Sequence, residues 1–427
     1  MMKKATRLLS LVIVITLLFT LAACGTKTDT GGESGASLVY WSMWSETEPQ
    51  AKALAEAAKA FEAETGVAVK INFNGRQGQR EGIAPALAAG ETIDIFDEDM
   101  DRVTKQWGDN LLTLDDFVNG TYSDTNGKEY RSLVNGALMA MAKEKGSGKY
   151  TVIPYQPFIY TTMYNKDLFE QAGITSTPKT WDEFLGACEK LKAIGITAMT
   201  LDNAYIAAKF GYILTRVVGV DRTLEIFENA DLSDPGVLRT CQLLEELIKK
   251  GYMSPRAATN VYPEGQASEF ALETVAILLC GTWLPNELRE LNPDLNWGQF
   301  AWPSIDPGGA GTEAHNVAAQ CFAINKNTSY PDEAFAFIRW MTLGHWDQKL
   351  ADDSMGVPMA NDATWPAEIS EAKAILDATT NPFPWAAGAE DDPNIGAAII
   401  DGFQRMVTGS IDAQQFADSL AQVTKAS

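Results

Sequence analysis

The chain has 427 residues, with 34 basic and 56 acidic side chains and a net charge of −22. That length accommodates two or three domains, each able to bury a core, and a composition 46% hydrophobic and 21% charged excludes wholesale disorder. The acidic excess argues against nucleic acid as a partner, since no basic run could replace the counterions of a phosphate backbone.

The one long apolar stretch lies at the N-terminus. Met1–Arg7 is a basic n-region and Leu8–Leu21 an apolar h-region of export-signal length. Leu21-Ala22-Ala23-Cys24-Gly25 resembles the lipobox of bacterial lipoproteins, which implies cleavage after residue 23 and lipidation of Cys24 on sulfur. Residues 24–37 then form the lipidated cysteine and a flexible linker without large apolar side chains. Several acyl chains would hold an exported domain on the membrane. The expected place is the extracellular side of a Gram-positive membrane, or the periplasmic side of a Gram-negative one.

Cys188, Cys241, Cys280 and Cys321 each lie in an apolar stretch, and buried free thiols are expected, although four cysteines allow three pairings. With no C-x-x-C and only His315 and His345, no zinc site and no cofactor are expected.

In chain order, Leu38–Trp41 reads as a buried strand. Pro49 opens a helix with Leu54, Ala57, Ala58 and Phe61 on one face, closed by Gly66. Val67–Phe73 alternates as a second strand, Gly82–Ala89 is helical, and Ile93–Phe96 is a third strand. This order predicts a parallel sheet with ligand at the carboxyl ends of its strands, near Ser42–Glu46, Asn74–Arg80 and Asp97–Arg102. Tyr150–Tyr164 is a β-like run rich in aromatics and interrupted by two prolines. Thr180 with Glu183 forms a capping box ahead of a helix that ends at Gly195. Helices follow at residues 205–218, 236–250, 332–341 and 412–423, with strands at 275–280 and 317–324.

Several ordered segments resemble the extracellular solute-binding receptors of ABC importers, in the carbohydrate (maltose-binding-protein-like, family 1) branch. They are Leu38–Trp41; Ala88-Ala89-Gly90 leading to Asp94-Ile95-Phe96; Met163–Phe169 with Ala172-Gly173 and Pro178–Phe184; Ala276–Pro285; and Phe322-Ala323-Ile324 with Pro331–Phe335. The resemblance implies a two-lobed α/β fold, each lobe a mainly parallel sheet flanked by helices, with a multi-strand hinge. Residues 38–155 and 318–350 would form the first lobe, and 156–317 and 351–427 the second. It further implies a monomer that closes on a carbohydrate between its lobes, meets permease subunits of the membrane, and catalyses nothing. Hinge closure in such receptors is a general pattern.

A sugar receptor needs flat aromatics for the C–H faces and polar groups for the hydroxyl rim. Trp283 stands where the family has a stacking tryptophan. Asp101-Arg102 match a sugar-contacting pair, whereas Glu98 replaces a tryptophan and Phe158 replaces a glutamate. Tyr205 matches the tyrosine of a Glu-Pro-Tyr cleft segment. Trp41, Trp44 and Glu46 flank the first strand's end, and if Trp41 faces the core then Trp44 or Glu46 reaches the cleft. Tyr155 and Asn316 lie at the hinge, and Trp385 is a second stacking candidate. Arg76, Gln79 and Arg80 could reach hydroxyls or an acidic sugar. Two alternatives stay open: the same fold holding a polyamine, iron or an organic anion, and a glycoside hydrolase using the Asp97–Asp101 acids. The hydrolase would need carboxyls on both sides of the bond, which one short loop does not supply. A calcium loop over Asp97–Gly108 fails at its sixth and twelfth positions.

Overall fold

In the Leu38–Trp41 run, Leu38, Tyr40 and Ser42 are buried while their neighbours are half-exposed, the period-2 pattern of a strand lying on a core. The computed structural model describes residues 35–262 and 264–426; the leader, Cys24 and the linker up to residue 34 lie outside the described residues. Nine strands are present among them: β1 (Ser37–Ser42), β2 (Ala68–Phe73), β3 (Ile95–Asp99), β4 (Val152–Asn165), β5 (Thr197–Met199), β6 (Val275–Gly281), β7 (Trp297–Phe300), β8 (Ala314–Ile324) and β9 (Asn381–Phe383).

β1 lies between β2 and β3 and runs parallel to both, with Tyr40 opposite Ile71 and Ile95. The crossovers are helices α1 (Pro49–Thr65) and α2 (Gly75–Ala89). Pro49 occupies the first turn of α1, where its missing N–H costs nothing, and Gly66 ends it at φ +75, donating its N–H to the Glu62 carbonyl. Two boundaries differ from the sequence expectation. α2 starts at Gly75, so Arg76, Gln79 and Arg80 ride on a helix rather than a loop. β3 continues through the acids to Asp99, whose carboxylate accepts the Asp101 and Arg102 N–H groups and starts α3 (Met100–Gln106). Apolar patterning stops at Phe96 because it does not register acids held in a strand by donors distant in sequence.

The sheet runs β2-β1-β3-β8-β4-β6-β5, with β7 on β4 and β9 on β8. β8 pairs antiparallel with β3 through Gln320–Ile324 and with β4 from Asn316 to Ala323. β4 passes on to pair with β6 and β7 through Tyr160–Asn165. The register of β4 against β8 shifts between Tyr155 and Pro157. Pro157 has no N–H for the ladder, and Gln156 takes φ +45, so one residue bulges and the ribbon bends. Around β1 the sheet is parallel apart from β8; beyond the bend it is mixed, because β4 enters antiparallel to both β6 and β7.

Two separate cores flank this ribbon. One gathers Leu38, Leu54, Phe61, Ile95, Phe322, Phe335 and Phe337, with a satellite around Ile83, Phe96 and Trp107. The other gathers Phe184, Phe210, Leu244, Ile277, Ile399, Phe403 and Phe416. Each such buried side chain contributes about 1.5–3 kcal/mol. Met359, Ala372 and Leu376 pack in the first core, although the sequence reading placed all of 351–427 with the second. The buried Asp347 carboxylate accepts the Met359 and Ala360 N–H groups and holds this segment down. From Phe383 onward the chain packs in the second core.

Thr180 and Glu183 form the expected capping box, each side chain meeting the other's backbone N–H at 3.3 Å. Cys188, Cys241, Cys280 and Cys321 are buried and free.

Candidate functional site

Where the strand ends converge between the cores, two adjoining chambers of about 650 and 680 Å³ share Arg76, Arg80, Phe158, Gln320 and Trp385. Phe158 lies on β4 just past the bulge, and Gln320 lies on β8 opposite Tyr155 just before it, so the crossing ribbon is the floor. Trp44 follows β1, Arg76 and Arg80 come from α2, and Trp283 and Trp385 follow β6 and β9.

The first chamber is aromatic: Trp44, Phe158, Tyr205, Tyr262, Trp283 and Trp385 line it. Tyr205 and Tyr160 stack near-parallel to Trp283 at centroid distances of 6.3 and 6.2 Å, and Phe158 meets it edge-on at 5.2 Å. The indole N–H groups are all spoken for. That of Trp283 donates to the Tyr205 hydroxyl at 2.9 Å, that of Trp44 to the Tyr155 hydroxyl at 2.7 Å, and that of Trp385 to Glu390 at 2.8 Å. Their polar edges are tied; Trp44 is buried, whereas Trp283 and Trp385 keep part of their rings exposed to the chamber. The Arg76 guanidinium lies 4.9 Å from the Trp44 ring and pairs with Glu48 at 2.9 Å.

The second chamber is charged, and its acids are engaged. Glu98 is fully buried and takes a two-point contact from Arg80 at 2.9 and 3.1 Å. Asp99 caps α3, and burial, then the neighbouring Asp101, push its carboxyl up to about 6. Asp101 pairs with Lys145. Arg102 also lines this chamber, with its Nε buried and unpartnered. Behind both chambers Asp97 accepts from Tyr40 Oη, Ser42 Oγ (3.0 Å), the Met43 N–H (2.6 Å) and Tyr155 Oη (2.5 Å). Burial raises its carboxyl to about 6 against the pull of those four donors.

Of the residues singled out in the sequence, Trp44, Phe158, Tyr205, Trp283 and Trp385 meet in the aromatic chamber, and Glu98, Asp101 and Arg102 in the charged one. Four stand elsewhere. Trp41 packs under α2 against the satellite core, beside Gly82. Glu46 is exposed and lines neither chamber. Tyr155 is fully buried one layer behind, anchoring Trp44. Asn316 is buried on β8, bonded to the Phe383 carbonyl at 3.0 Å. Sequence reasoning missed Tyr262, Asn286, Glu287 and Gln320. The available signal for Glu287 was its spacing of four after Trp283, which puts both on one helical face. Among the described residues no cluster of three or more potential metal ligands occurs, and no helix is long and apolar enough to cross a membrane.

Two cores joined by a crossing ribbon, with a groove of flat rings and hydrogen-bonding groups between them, define a two-lobed, cleft-type binding protein. The chain belongs to the bacterial extracellular solute-binding protein family, whose pattern matches residues 44–343. It is 27% identical over 221 residues to a binding protein of Brucella abortus, covering 50% of this chain and 51% of that one. The chain thus spans about half the length of the curated relatives matched first. The galactooligosaccharide-binding protein of Bacillus subtilis is 22% identical over 447 residues, 99% of this chain and 98% of that protein. A solute-binding protein solved in complex with raffinose superposes with a TM-score of 0.67 at 20% identity, covering 90% and 98% of the two chains.

Proposed function

We propose that this protein captures a sugar or oligosaccharide between its lobes and delivers it to the membrane permease of an ABC importer, altering none of the ligand's bonds. The aromatic chamber carries this reading: six rings line it, among them the half-buried Trp283 and Trp385 with their indole N–H groups tied, and with the Arg, Gln and carboxyl groups of the rim they match the apolar faces and hydroxyl edges of pyranosides. The relatives with sugars in their names are consistent with it. The acids that a hydrolase would need are instead tied to Arg80, Lys145, the α3 N-terminus and the tyrosine pair. Isothermal titration against raffinose, stachyose and diacetylchitobiose tests the reading; at least one should bind saturably at micromolar concentration, and a flat trace for all three would overturn it.

We take the first lobe as 38–155 with 318–376, and the second as 156–317 with the chain from Phe383 onward. The protein acts as a monomer tethered through lipid on Cys24, on the outer side of the cell membrane. In cells, Cys24→Ala should move it from the membrane to the soluble fraction; a variant that stays with membranes would refute the anchor.

A further inference from the structure

Glu287 follows Trp283 by one turn, on the short helix Leu284–Leu288, and lines the aromatic chamber. Its Oε1 accepts the Tyr205 hydroxyl at 3.5 Å, the same hydroxyl that receives the Trp283 indole N–H. Its Oε2 is buried with no hydrogen-bond partner. An unpartnered buried carboxyl oxygen is unfavourable, and a ligand hydroxyl arriving at that atom would satisfy it. The geometry points to Glu287 as a specificity-determining residue whose Oε2 hydrogen-bonds a ring hydroxyl of the sugar lying on Trp283. This rests on the sugar-receptor reading and deepens it. The rings alone accept any pyranoside face, whereas this one oxygen, fixed through Tyr205 to the indole, selects the hydroxyl that stands at the ring's edge.

Glu287 also gives binding a pH signature. Burial pushes it up to about 8, so at neutral pH it carries its proton. A sugar covering it removes more water and raises it further. The complex then holds the proton more tightly than the free protein, and affinity falls as pH rises through about 8. The facing groups are Asp202 and Tyr205 from the loop before Ile206–Val218, Tyr262 from the loop before Glu264–Ala271, and Cys280 from β6. In the turn just past its own helix stand Arg289 and Glu290 at the rim, and Arg76 lies across the chamber near Tyr262. Burial raises Asp202 only to about 6, below this window, and lifts both tyrosines and Cys280 above their ordinary values.

Raffinose, stachyose and diacetylchitobiose are titrated into wild type, Glu287→Gln and Glu287→Leu at pH 7 and pH 9. For a sugar that binds wild type, Glu287→Leu should weaken binding at pH 7 by roughly tenfold or more. Glu287→Gln, which keeps a donor and an acceptor, should stay within about threefold. Wild-type affinity should fall about threefold or more between pH 7 and 9, while the Gln variant stays flat. Wild-type affinity in the Leu variant, or an equal pH slope in the Gln variant, would overturn the assignment. The Gln profile decides the matter even if the Leu variant does not fold. Failure of all three sugars on wild type would instead remove the receptor reading itself.

Discussion

Replacing Asp97 by alanine should lower stability by about 3–5 kcal/mol, a Tm shift on the order of 10 °C. Four donors converge on this one fully buried carboxylate: the hydroxyls of Tyr40, Ser42 and Tyr155 and the Met43 N–H. Alanine leaves all four donors without their acceptor, and an unsatisfied buried donor costs about 1–3 kcal/mol, more than a typical hydrogen bond contributes net. The variant should also bind sugar more weakly, because Tyr155 is the anchor of the Trp44 indole. The pH dependence separates this role from simple packing. Burial lifts Asp97, Asp99 and Asp202 to about 6 and Asp347 to about 7. The native state therefore binds protons that the unfolded chain has already released between about pH 4 and 7. The stability these four carboxyls contribute is present on the acid side of that window and declines as pH rises through these values, outweighing the opposite contribution of the single buried His315, which burial lowers to about 3. Thermal melts of wild type should give a higher Tm at pH 5 than at pH 8, and Asp97→Ala should show a shallower slope. An unchanged Tm at neutral pH would refute the keystone role.

If the proposed sugar lies on this indole, Trp283→Ala should weaken its binding by roughly 30- to 100-fold, the loss of an aromatic face and its buried area. The indole is held on one side by Tyr160 and Tyr205 and fixed at its nitrogen by the Tyr205 hydroxyl. It also lies directly over Gly281, where an added Cβ would come within 2.0 Å of the ring. Only glycine leaves room there, so Gly281→Ala should displace the same ring and reproduce part of the defect. Tryptophan fluorescence during titration reads both effects. A ligand-induced change that persists at wild-type affinity in Trp283→Ala would place the sugar elsewhere.

What the sequence made legible was whatever is decided locally. Pro49, Gly66 and the Thr180–Glu183 pair mark helix ends by chemistry within one turn, and they stand where the pattern put them. The helix Pro393–Val407 went unread, although Asp392 caps it and Pro393 opens it. Its glycines weaken a helical pattern, and only the fold explains Gly402, which lies against the Phe416 ring. At the site, Trp283 was legible through its neighbours in sequence. Tyr155, Asp97 and Glu287 were not, because their roles come from burial and from partners 54 to 111 residues away. Trp41 and Trp44 illustrate the limit. Both border one strand end, and only the packing of α2 over Trp41 decides which ring faces outward.

The interleaving of the chain has a consequence for how the protein is made. The core around Leu38 and Phe61 is completed by Phe322, Phe337 and Leu376, and β3 waits for β8 to cover its outer edge. A polypeptide emerging N-terminus first therefore holds its opening strands incomplete until nine-tenths of its length has appeared. Long-range pairing of this kind is slow. During that interval its unpaired strand edges are exposed to premature association.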